Sequence, residues 1–105
     1  MKPAIFLGSS QDDLRAMPDT VRHDLGVELM RVQLGGDPMD FKPMPTVGAG
    51  AYEIRVSDAG GAFRVIYVAK FADAVYVLHA FQKKTRKTAQ TDIDIAAKRY
   101  KLIGA

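Results

Sequence analysis

The sequence predicts an α+β domain in which helices precede an antiparallel meander, in the order β-α-α-β-β-β-α. Apolar residues recur at helical spacing early in the chain, at Val21, Leu25, Leu29 and Val32. From Tyr52, Ile54 and Val56 the pattern changes to strand-like alternation and stays so to residue 82. Strands therefore follow helices instead of alternating with them, which argues for a twisted antiparallel sheet packed on helices on one face.

Lys2 to Leu7 is short, apolar and bounded by Ser9-Ser10, and is taken as a strand. Ser10 followed by Asp13 opens a short helix, Gln11 to Met17, with acids near its positive end. Pro18 suits the first position of a second helix running to about Leu34, which Gly35-Gly36 terminates. Residues 37–50 hold three prolines and are expected to be an irregular connection. Tyr52 to Ser57 forms a strand, Asp58-Ala59-Gly60-Gly61 is turn chemistry, and Phe63 to Lys70 is a near-continuously apolar, central strand. Ala72-Asp73 marks the next tip and Val75 to Gln82 the last strand. Thr88 is placed as the cap of a final helix, with Asp92 and Asp94 in its first turns and Ile93, Ala96, Ala97 and Tyr100 as its apolar stripe.

The two turns set a register. Ser57 pairs with Ala62, Arg55 with Arg64, Glu53 and His79 with Ile66, and Phe81 with Arg64. Alternation then puts Glu53, Arg55, Arg64, Ile66, Val68, Val77, His79, Phe81 and Lys83 on one face. Tyr52, Ile54, Val56, Phe63, Val65, Tyr67, Ala69, Tyr76, Leu78 and Ala80 share the other, which is almost wholly apolar and is expected to meet the helices.

Composition bounds the function. The chain has 105 residues, 48% hydrophobic and 26% charged, which suits a single domain over residues 1–105 and excludes a disordered chain. There is no cysteine, so disulfides and thiol chemistry are excluded, and two histidines do not suggest a metal site or another cofactor. Apolar runs are too short for a membrane span or a signal peptide, so a cytoplasmic protein is expected. Charge is uneven: residues 1–50 carry five Lys/Arg against seven Asp/Glu, and residues 51–105 ten against five. The basic charge peaks at Lys83-Lys84-Thr85-Arg86-Lys87. Such a cluster attracts phosphates or an acidic protein segment. Two arginines directly opposite repel unless Glu53, diagonal to Arg64, partly neutralises the pair. Without that, an Arg pair beside Phe81 and Lys83 suits RNA, since guanidinium forks clamp phosphate and an aromatic face stacks a base. His79 on that face has the chemistry to move a proton near neutral pH.

Tyr52-Glu53-Ile54-Arg55, Phe63-Arg64-Val65-Ile66-Tyr67, the string from Val77-Leu78-His79 to Lys87-Thr88, and Asp92-Ile93-Asp94-Ile95-Ala96 together resemble the phage-derived Gp49-like/HigB-type branch of the RelE/ParE toxin superfamily. Val32 to Gly36 and Phe41-Lys42-Pro43 are similar to that branch's helix end and linker. The resemblance implies a RelE-like fold and a type II toxin whose partner is a helix-turn-helix antitoxin, with higher-order toxin–antitoxin assemblies. Many members cleave mRNA on the ribosome without a metal. Others poison DNA gyrase or have no established target, so a binding-only toxin and an inactive phage-derived relative stand as alternatives. For cleavage, a 2′-OH attacks the adjacent phosphorus. The resemblance then assigns Arg55 and Arg64 to the pentavalent phosphorane, with Lys83 as further cation and His79 for proton transfer. Phe81, Lys84, Arg86 and Lys87 are assigned to RNA, ribosome or antitoxin. Tyr100, the one Tyr or His near the C-terminus, lies on the apolar stripe and is expected to pack.

Overall fold

A computed structural model describes residues 1–104. Its elements are β1 (Ala4–Phe6), α1 (Ser10–Arg15), α2 (Asp19–Gln33), β2 (Phe41–Pro43), β3 (Ala51–Asp58), β4 (Gly61–Val68), β5 (Val75–Lys83) and α3 (Gln90–Tyr100). The strands form one sheet in the order β1-β5-β4-β3-β2, with β1 parallel to β5 and the other neighbours antiparallel. The sheet is thus mixed, and not purely antiparallel as the sequence pattern predicted.

The helical half follows its local chemistry. Pro18 occupies the N-cap position of α2 with extended ψ, one residue ahead of the place expected for it. Val21, Leu25, Leu29 and Val32 are buried along one stripe. At the far end Gly35 adopts φ +92, and the Gly35 and Gly36 N–H groups donate to the Val32 and Arg31 carbonyls at 3.0 and 2.9 Å. This is a Schellman closure, which needs a residue free of a Cβ penalty. Gly35→Ala should therefore lower stability by about 1–2 kcal/mol, measurable by denaturant titration.

The β3–β4 hairpin has the register expected from its turn, with Ser57 opposite Ala62, Arg55 opposite Arg64 and Glu53 opposite Ile66. Asp58 Oδ1 accepts from the Gly60 N–H at 2.7 Å, and Gly61 has φ +136, so the turn residues carry the geometry. Three further features depart from expectation. Phe41–Pro43, inside the segment predicted to be irregular, pairs with β3, with Lys42 opposite Glu53. A proline is tolerated there because β2 is an edge strand. In β5 the register shifts between Ile66 and Tyr67, so that Tyr67 pairs with Val77 and Ile66 with His79, leaving Leu78 as the extra residue. This bulge turns Val77 toward α1 and α2, and Tyr76 and Leu78 to the opposite side. That corrects the predicted faces of these three residues, while His79 and Phe81 keep theirs.

The third departure is the placement of α3. One core joins α1 and α2 to Ile54, Phe63, Val65, Tyr67 and Val77. A second core covers the other face of the sheet, where Ala96 of α3, with Ile93 and Tyr100, packs on Ile66, Leu78 and Phe81. Helices therefore lie on both faces and not on one. The predicted stripe of α3 is correct, but Thr88 does not cap it. Ala89 holds the N-cap position without a side-chain bond, and the buried Thr88 donates its hydroxyl to the Glu53 carboxylate.

Candidate nucleic-acid interface

Each of the four strands β2–β5 contributes one cation to the face that α3 partly covers. Arg55 and Arg64 stand directly opposite, Phe81 lies across from Arg64, Lys83 pairs with Ala62, and Lys42 pairs with Glu53. Arg64 is 5% exposed and Glu53 fully buried. Arg64 Nε lies 3.5 Å from Glu53 Oε1, an ion-pair distance, and its Nη1 donates to the Phe63 carbonyl at 2.9 Å. Glu53 Oε2 accepts from Thr88 Oγ1 at 2.8 Å. Among the described residues, Arg55 Nε, Arg64 Nε and Glu53 Oε1 are buried without a hydrogen-bond partner. The site therefore holds more cationic donor capacity than the protein satisfies.

Electrostatics agree with crowding of like charges. Burial lowers the Arg64 pKa first, Glu53 and Asp40 oppose that shift, and Arg55 adds to it. The Lys83 pKa is also lowered, by desolvation first and then by Arg64, with Glu53 opposing. An anion arriving here relieves repulsion that Glu53 and Asp40 only partly offset.

His79 lies beneath this face. It is 6% exposed, its Nε2 is 2.7 Å from Asp92 Oδ1, and its ring stacks on Phe81 at 4.7 Å between centroids. Its Nδ1 is buried and has no partner among the described residues. Phe81 is 9% exposed and belongs to the core under α3. The sequence pattern placed both rings on an open face; α3 covers them, because its apolar stripe needs a partner surface. The chain leaves β5 after Lys83, so Lys84, Arg86 and Lys87 are exposed on a loop instead of alternating across the sheet. Tyr100 packs as expected, its hydroxyl donating to the Ala49 carbonyl at 2.7 Å.

Sequence reasoning missed Lys42, Thr88 and Asp92 as members of this constellation. Lys42 was hidden in a proline-rich segment. Thr88 carried a capping signal that its buried contact with Glu53 overrides. A cleft of about 360 Å³ lined by Lys42, Lys87 and Thr88 joins the sheet face to the basic loop. Another of about 450 Å³ opens beside Arg55, lined by Asp24, Met39 and Asp40. A third cleft, of about 500 Å³, is lined by Asp13, Met17, Pro18, Phe63, His79 and Gln82, among others. It contains no Lys or Arg, so the cationic face is the better place for a phosphate chain. Among the described residues, no group of three or more His, Asp or Glu is arranged to hold a metal, and no helix is long and apolar enough to cross a membrane.

No curated protein matches the chain. The family model of the phage-derived protein Gp49-like (DUF891) matches residues 12–101, which include α2, the four cation-bearing strands and α3. The chain thus belongs to the phage-derived Gp49-like family, a RelE/HigB-type toxin family.

Proposed function

We propose that this protein is the toxin of a type II toxin–antitoxin module: a ribosome-dependent, metal-independent mRNA endonuclease that halts translation and is neutralised by a cognate helix-turn-helix antitoxin. The observation that carries the reading is the row Lys42, Arg55, Arg64 and Lys83 on one sheet face, with unused guanidinium donors at its centre. In this account Arg55 and Arg64 receive the non-bridging oxygens of the scissile phosphate and stabilise the phosphorane formed as the 2′-OH gives up its proton and bonds to phosphorus. Collapse of the phosphorane breaks the bond to the 5′-oxygen, which leaves protonated as an alcohol, with a 2′,3′-cyclic phosphate on the other fragment. Lys42 and Lys83 hold flanking phosphates. Lys84, Arg86 and Lys87 meet ribosomal RNA or the antitoxin. Asp92 orients the His79 ring in the manner of an Asp–His pair, leaving Nδ1 as the atom that exchanges a proton. Phe81 backs that ring from below.

The direct test is a reconstituted translation reaction on a defined mRNA, read by primer extension. New 5′ ends that need both toxin and ribosome are expected, and ends that appear on free mRNA alone contradict ribosome dependence. Binding should also be salt-sensitive. For a non-cleavable single-stranded RNA neutralising about four phosphates, the slope of log K against log salt should be near −3. A slope near zero in fluorescence anisotropy would place binding elsewhere.

The burial of His79 Nδ1 favours a second reading. In it the protein is a toxin without chemistry of its own, docking on a host protein such as DNA gyrase through the exposed Lys84, Arg86 and Lys87. Growth arrest without new RNA ends separates this from the first reading.

A further inference from the structure

Glu53 sits at the centre of the cationic face, yet the chemistry proposed above makes no use of it. Its carboxylate is fully buried. Burying a carboxylate is strongly unfavourable unless cations and donors surround it. Here they do so asymmetrically. Oε1 faces Arg64 Nε at 3.5 Å, and Oε2 accepts from Thr88 Oγ1 at 2.8 Å. Lys42 stands opposite across the β2–β3 pair.

Each oxygen thus addresses a different part of the candidate site. On one side the Arg64 guanidinium donates from Nη1 to the Phe63 carbonyl, and its Nε sits at ion-pair distance, 3.5 Å, from Glu53 Oε1 without a hydrogen bond. Its Nη2 takes no protein partner among the described residues. A planar guanidinium hydrogen-bonded at one nitrogen and drawn toward a carboxylate at another has a set direction for the remaining donors, which a flexible ammonium lacks. On the other side Thr88 directly follows Lys87, so its bond to Glu53 anchors the C-terminal end of the basic loop. Without Glu53, the like-charge pair of Arg55 and Arg64 across the β3–β4 ladder would lose its nearest acid and would be expected to splay.

We propose that Glu53 is a positioning residue: one oxygen fixes the Arg64 guanidinium and the other, through Thr88, the basic loop, so that the anion site is assembled before an anion arrives. This rests on the RNA reading only for the identity of the anion. Such preorganisation matters because it removes the reorganisation that would otherwise accompany the reaction.

The test is Glu53→Gln, which keeps the shape and the acceptor for Thr88 but removes the charge. In ¹⁵N NMR of arginine Nε–H groups, the Arg64 resonance should be slowly exchanging in the parent protein and averaged in the variant. Ribosome-dependent cleavage per folded molecule should fall about 10-fold or more, the scale expected for a reacting group displaced by a fraction of an ångström. Inorganic pyrophosphate should bind no more weakly, because one negative charge has gone. A lower melting temperature with an unchanged Arg64 resonance and unchanged cleavage per folded molecule would show a purely structural role and overturn the proposal. If Glu53→Gln does not fold, Thr88→Val decides the loop half. Faster amide exchange over Lys84–Thr88 with weaker binding of non-cleavable RNA supports it, and no change in either overturns it. Should the parent protein cut no RNA, collapse of the Arg64 resonance in Glu53→Gln, with loss of its shift on pyrophosphate addition, would still support the positioning role. The endonuclease reading alone would then fail.

Discussion

Arg55→Ala should lower RNA cleavage by about 10²–10³-fold, the usual effect of removing one preorganised donor from a developing oxyanion. Arg55 is the cleaner of the two arginines to remove. It is half-buried and makes no ion pair with Glu53, so its loss leaves the fold intact and also relieves the repulsion from Arg64. Arg64→Ala should abolish cleavage as well, but it confounds two effects. It strips a fully buried Glu53 of its closest cation, and breaking a buried pair from one side costs about 3–5 kcal/mol. Arg64→Lys is the informative partner variant. It keeps the charge but loses the planar fork, so recovery of stability without recovery of cleavage is the expected result. Single-turnover rates on programmed ribosomes, paired with thermal melts, separate the two. Equal losses of stability and activity in all three variants would contradict a direct role on phosphate.

His79→Ala should destabilise the protein by about 2–4 kcal/mol, from the lost ring packing and the lost bond to a carboxylate. The imidazole stacks on Phe81, and among the described residues its side-chain hydrogen bond is to Asp92 of α3. Asp92→Asn should give a smaller loss, and a double-mutant cycle of the two should show coupling of about 0.5–3 kcal/mol. Additive losses would mean that the pair does not hold α3 on the sheet. Cleavage by the folded fraction of His79→Ala should drop by about 10²–10⁴-fold if the ring moves a proton. Unchanged toxicity with retained antitoxin binding would instead support the toxin without chemistry.

The central hairpin was legible because its turn residues are unambiguous. Asp58 and Gly60-Gly61 fix the turn, the turn fixes the register, and the register puts Arg55 on Arg64. The stripe of α2 was legible for the same local reason, and Gly35-Gly36 marked its end. What escaped is non-local. Phe41-Lys42-Pro43 shows no alternation and becomes a strand only by pairing with β3, so Lys42 was invisible as a fourth cation. The bulge at Leu78 leaves the apolar pattern of β5 continuous, and sequence alternation cannot reveal an unpaired residue. The stripe of α3 was predicted, but nothing local says which side of the sheet it covers. That choice buries His79 and Phe81 and turns Thr88 from an apparent cap into a partner of Glu53. The hairpin register thus brought Arg55, Arg64 and Glu53 to one face as the pattern predicted, with Glu53 beside Arg64, while Lys42 and the bonds of Thr88 and Asp92 were not legible.

The neutralising antitoxin should present acidic or amphipathic surface to the cationic row, and its addition should raise the melting temperature of the toxin. The most direct measurement is inducible expression in a bacterial host with genome-wide mapping of mRNA 5′ ends. Growth arrest together with new ends confined to translated frames is expected, both lost in Arg55→Ala and both suppressed by the antitoxin. Arrest without new ends, or cuts spread equally over untranslated regions, would contradict a ribosome-dependent endonuclease.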